Sequence, residues 1–69
     1  MTAAQINYAM TGKTNDDINL IRFAGGMYEP RGYTSIEFID SENLIKLISK
    51  QTSAEEFIDY SIVRMIIFK

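Results

Sequence analysis

The stretch Ser35–Lys50, SIEFIDSENLIKLISK, constrains this chain most. Ser35-Ile36-Glu37-Phe38-Ile39 alternates as a strand does, with Ile36 and Phe38 on one face and Glu37 on the other. Asp40 or Ser41 then offers a short side-chain oxygen to the first free N–H groups of a helix. Leu44, Leu47, Ile48 and Gln51 recur at helical spacing, so an apolar stripe ends on a polar residue. The spacing predicts a strand feeding directly into a capped amphipathic helix over 42–50.

The rest of the chain adds strands around that unit. Residues 2–12 read as a short helix: Thr2 and Gln5 have capping-box spacing, Ala3, Ile6 and Met10 form a stripe, and Gly12 suits the C′ position. The alternation Gln5-Ile6-Asn7-Tyr8 keeps an edge strand open as the other reading. Lys13–Asp17 is a polar turn. Ile18–Phe23 is a strand with Ile18, Leu20 and Arg22 on one face, ended by Gly25-Gly26. Met27–Tyr33 reads as a long irregular loop, across which Ile18–Phe23 and Ser35–Ile39 pair as a hairpin. Ser53 and Glu56 again have capping-box spacing, which predicts one or two helical turns at 54–59. A strand from Tyr60 or Ser61 to Phe68 closes the chain. Its run Met65-Ile66-Ile67-Phe68 predicts burial on both faces, or an uncovered edge through which two copies associate. Residues 1–69 thus form one small α+β domain, a sheet of three to four strands with one or two helices packed on one face.

Composition limits the chemistry. At 69 residues with no cysteine and no histidine, the chain has no disulfide staple, no thiolate zinc site and no Cys- or His-based catalysis. Seven basic and nine acidic residues give a net charge of −2, without the basic excess of a nucleic-acid binder. No apolar run reaches the roughly 18 residues of a membrane span. MTAAQINYAM lacks the basic start and apolar core of a signal peptide, so a cytoplasmic protein is expected.

No catalytic or cofactor motif is complete. Asp16, Asp17, Glu37 and Asp40 are the acids near strand ends, but Glu37 is followed by Phe38 and Ile39, not by the Glu-x-Lys of a metal-dependent nuclease. Gly12-Lys13-Thr14 ends like a phosphate loop, yet position 7 is Asn7 where the first glycine would stand. Asp16 and Asp17 read as turn residues and Asp40 as a cap, with no metal and no cofactor. Ile36–Asp40 followed by Leu44, Leu47 and Ile48 resembles the last strand and helix of Mrr-type restriction endonuclease domains, with Ile18–Phe23 in place of the preceding strand. That resemblance covers about a third of the chain, and the family's catalytic half has no counterpart.

The expected function is therefore a non-enzymatic protein-binding module, such as a phage or mobile-element inhibitor that occupies a surface of a host nuclease or defence complex. Its contact surface is expected in the loop, at Met27, Tyr28, Glu29, Arg31 and Tyr33, because tyrosine, arginine and methionine are enriched at interfaces. The acidic positions Glu42, Glu55, Glu56 and Asp59 form a second candidate surface. The alternatives are a nucleic-acid-binding module using Arg22, Arg31, Tyr28 and Tyr33, and a non-catalytic subunit or remnant of an enzyme assembly.

Overall fold

The computed structural model describes residues Met1–Lys69. One short helix, α1 (Ala3–Ala9), precedes six strands: β1 (Ile18–Phe23), β2 (Gly26–Tyr28), β3 (Tyr33–Ile39), β4 (Leu44–Ser49), β5 (Glu55–Asp59) and β6 (Val63–Phe68). Short 3-10 turns at Asn15–Asp17, Pro30–Gly32 and Tyr60–Ile62 lead into β1, β3 and β6. The strands form two three-stranded antiparallel sheets, ordered β2-β1-β6 and β3-β4-β5. The fold is α+β in the broad sense, with two sheets where one sheet covered by helices was expected. No helix is long and apolar enough to cross a membrane.

The N-terminal helix forms as its capping box predicts. The Gln5 amide donates to Thr2 Oγ1 at 3.1 Å, and the Thr2 amide donates to Gln5 Oε1 at 2.8 Å. Ile6 is buried, with Ala3 and Met10 packed beside it. Met10 is the C-cap, so Gly12 lies one residue beyond the C′ position expected for it, at φ 75°.

The predicted helix over 42–50 is strand β4. Leu44, Leu47 and Ile48 do have helical spacing, but Ile45 fills the other phase, and Ile45 and Leu47 alternate as the two buried residues of the strand. β-Branched isoleucines at 45 and 48 favour the extended chain. Asp40–Asn43 therefore reverses the chain instead of capping a helix. Glu42 N donates to the Ile39 carbonyl at 3.1 Å, and Asn43 sits at φ 54°, a left-handed conformation that asparagine tolerates. The predicted turns at 54–59 are likewise strand β5. Ser53 lies at φ 61°, whereas an N-cap is extended, and it turns β4 into β5 by donating its amide to the Ser49 carbonyl at 2.9 Å. Without either helix, the resemblance to an endonuclease strand–helix unit has no structural counterpart.

The expected hairpin between β1 and β3 does not form either. β1 pairs with β2 across Ala24-Gly25, where Gly25 takes φ 89°, and β3 belongs to the other sheet. Within β1 the buried residues are Ile18 and Ile21, three apart, which a regular strand cannot place on one face. The β1–β6 ladder shifts register between Ile18 and Leu20, and the extra residue, Asn19, resets the phase. Leu20 and Arg22 consequently face outward. A second shift beside Arg22 does the same for Val63 and Ile66 on β6. β6 is an edge strand with Met65 and Ile67 exposed, so of the two expectations for this run, burial on both faces fails.

The inner faces of both sheets meet Ile6 in one core, formed by Ile18, Ile21, Tyr28, Ile45, Leu47, Tyr60 and Val63. Tyr60 fastens the corner between β5 and β6. Its hydroxyl donates to Asp40 Oδ1 at 2.5 Å, and Asn7 Nδ2 donates to Asp40 Oδ2 at 2.9 Å. The Met1 nitrogen donates to the carbonyls of Tyr60 and Val63 at 2.7 and 3.0 Å. Asp40, expected as a helix cap, thus ties helix α1 to the turn after β5.

Candidate functional site

The segment Met27–Tyr33 is a built structure and not a loose loop. Met27 and Tyr28 end β2, Pro30–Gly32 makes one 3-10 turn, and Tyr33 opens β3. Pro30 at the start of that turn suits its fixed φ, and Gly32 N donates back to the Glu29 carbonyl at 3.0 Å. The alternation along β2 sends Met27 outward and buries Tyr28, which is 4% exposed. Tyr28 and half-buried Tyr33 meet ring to ring, with centroids 5.1 Å apart and planes tilted by 40°. Arg31 Nε pairs with Glu29 at 2.9 Å on the surface, and the Arg31 side chain is 87% exposed. The five expected contact residues therefore point in three directions.

Tyr28, Tyr33 and Pro30 form the apolar side of an open groove of about 370 Å³. Thr34, Ser35 and Ile36 of β3 form another side, and Asn15, Asp16 and Lys69 complete the rim. β3 is an edge strand, so the groove runs beside a sheet edge with no strand paired to it. Several bonds set its shape. Asn15 Nδ2 donates to the Ile36 carbonyl at 3.1 Å, Lys50 N to Gly32 at 3.0 Å and Lys69 N to Asp17 at 2.8 Å. Asp17 closes the adjoining 3-10 turn by accepting from Thr14 N at 2.8 Å, a bond that holds its carboxyl below the usual range. Burial, with the Asp16 charge behind it, raises the Tyr28 phenol; burial, and then Glu56, raises that of Tyr33. Both phenols remain O–H donors at neutral pH.

Among the second set of expected residues, Glu42 and Asp59 border a shallow depression of about 360 Å³ with Met1, Thr2 and Tyr60. Glu55 and Asp59 alternate with Phe57 on the outward side of β5, while Glu56 lies on the other side, toward Tyr33. Lys46 reaches Glu55 at 3.6 Å. Asp16, Asp17, Glu37 and Asp40 are dispersed over turns and the outer sheet face, and no three acidic side chains gather closely enough to hold a metal ion. Arg22 lies on the outer face of β1, away from the tyrosines. The groove residues Asn15, Asp16, Thr34, Ser35, Ile36 and Lys69 were not among those expected from sequence. Their only sequence signal is the alternation of β3, since the other three come from distant turns and the chain end. No protein-family model, curated protein or solved structure matches the chain.

Proposed function

We propose that the protein is a non-enzymatic binding module that takes an extended segment of a protein partner into the Tyr28–Tyr33 groove. The observation that carries this reading is the position of the groove beside the open edge of β3. An unpaired strand edge offers main-chain hydrogen bonds to an extended chain, and aromatic and proline surfaces offer its side chains a seat. A small compact ligand would use neither feature fully. The bonds that tie the groove's walls together reduce the ordering cost on binding. Action by occupying a partner's surface, without turnover, is the mode this arrangement supports, and inhibition is one form it can take. The nucleic-acid reading is weaker because Arg22 faces elsewhere, Arg31 is paired with Glu29, and the groove's one lysine, Lys69, shares the rim with Asp16.

Because Tyr28 is buried, a Tyr28→Ala change confuses binding with folding. Ser35 and Asp16 are exposed and line the groove without entering the core. Peptides selected from a random display library against the native protein should bind in the groove. Ser35→Arg combined with Asp16→Lys should leave the melting temperature near that of the native chain and weaken the selected peptides by at least ~30-fold, the scale of an interface hot spot. Affinity within about twofold of native in that variant places the contact surface elsewhere.

A further inference from the structure

The outer face of the first sheet carries Arg22 in an apolar frame, with exposed Arg64, the extra residue of the β6 bulge, beside it. Arg22 stands in register between Met27 of β2 and Met65 of β6, and Leu20 faces Ile67 in the row beside them. Met27, Met65 and Ile67 are 47%, 44% and 37% exposed. The chain's two ion pairs, Arg31–Glu29 and Lys46–Glu55, leave Arg22 without a carboxylate. The outer face of the second sheet has the opposite character. Ile45 and Leu47 point inward from β4, so their neighbours across the ladder place Glu55, Phe57 and Asp59 outward along β5. Phe57 is 52% exposed between these two acids, and across the ladder stand Lys46, which pairs with Glu55, and then Glu37, so the face is acidic on balance.

We propose that these two faces dock on each other between copies of the chain, head to tail. Phe57 of one copy seats between Met27 and Met65 of the next, where thioether sulfur and the guanidinium both favour an aromatic ring. Asp59, whose Oδ1 already accepts from Ser61 N at 2.8 Å, brings its carboxylate to Arg22. Charge disfavours pairing either face with itself, since Arg22 would meet Arg22 and three acids, Glu37, Glu55 and Asp59, outnumber the one lysine of the second face. The contact is therefore heterologous, and each added copy leaves one face of each kind free, giving a ring or an open chain. Met27 and Tyr28 leave β2 on opposite sides, so the Arg22 face lies away from the peptide groove, and this inference does not rest on the groove's function.

Sedimentation velocity up to ~1 mM protein tests it. The native chain should rise above the 7.9 kDa of one copy as concentration increases. Arg22→Glu and Phe57→Ser should each remain at one copy. Mixed in equal amounts, they should form a species of two copies and nothing larger, because each variant keeps the face the other has lost. Met27→Glu replaces Arg22→Glu should the latter lose its native circular dichroism. Asp16→Lys, which changes the groove's rim on a turn outside both sheet faces, should assemble as the native chain does, which separates this surface from the groove. A native chain that stays monomeric throughout, or a mixture that does not pair, overturns the proposal; so does assembly abolished by only one of the two variants.

Discussion

Ile45→Ala should destabilise the protein by roughly 2–5 kcal/mol, whereas Leu44→Ala, one residue earlier, should cost roughly 1 kcal/mol or less. Ile45 is 1% exposed at the centre of the second sheet, opposite Phe38 and Ile58, so its truncation opens a cavity among well-packed neighbours. Leu44 is half-buried on the outer face, where shortening it forfeits less apolar contact. Leu47→Ala belongs with Ile45→Ala, and Ile48→Ala with Leu44→Ala. A helix over the same residues would group Leu44, Leu47 and Ile48 as the sensitive set and spare Ile45. For a domain of this size each kcal/mol moves the melting temperature by ~4–8 °C. Thermal unfolding of the four alanine variants thus reads out the strand directly, and equal losses at 44 and 45 would contradict it.

Tyr60→Ala should be as severe, at roughly 3–5 kcal/mol by analogy with other large aromatic truncations. Tyr60 is 1% exposed, and its ring tilts against Phe38 with centroids 6.5 Å apart. Its amide donates to Asn43 at 2.9 Å, so the residue also joins the turn before β4 to the turn after β5. Tyr60→Phe keeps the ring and removes only the bond to Asp40, and should cost much less. That bond has a pH signature. The Tyr60 hydroxyl, and then Asn7, lower the Asp40 carboxyl below its usual value, so the folded state binds the proton less readily than the unfolded chain. The stabilisation is therefore complete above the unfolded carboxyl value of about 4 and is lost as pH falls through the lowered folded value. Acid unfolding curves should show a shallower loss of stability in Asp40→Asn and in Tyr60→Phe than in the native chain. Unchanged acid sensitivity in both would remove Asp40 from this account.

Local chemistry was legible in the sequence where both partners lie within a few residues. The Thr2–Gln5 box predicts helix α1, and the β-branched residues of Ile18–Phe23 and Val63–Phe68 predict β1 and β6. Leu44–Ser49 misleads because apolar residues occupy both phases, and a helical stripe can be picked from a strand whose outer face is also partly apolar. Only the pairing of Ile45 with Phe38 and Ile58 decides between them, and that information is not local. The outward turn of Arg22 depends on an unpaired Asn19 that no alternation pattern reveals. The groove is hidden for the same reason. Tyr28 and Tyr33 stand out as an aromatic pair, but their companions Asn15 and Lys69 are brought together by a bond from Lys69 N to Asp17 across almost the whole chain.

The most direct test of the binding account is an amide chemical-shift map of the native protein titrated with a peptide selected on it. Binding in the groove predicts the largest shifts at Asn15, Asp16, Tyr33, Thr34, Ser35 and Lys69, with intermolecular contacts from the peptide backbone to the β3 edge. Shifts centred on the acidic border of Glu42 and Asp59, or on the Arg22 face, with Thr34 and Ser35 unmoved, would contradict it.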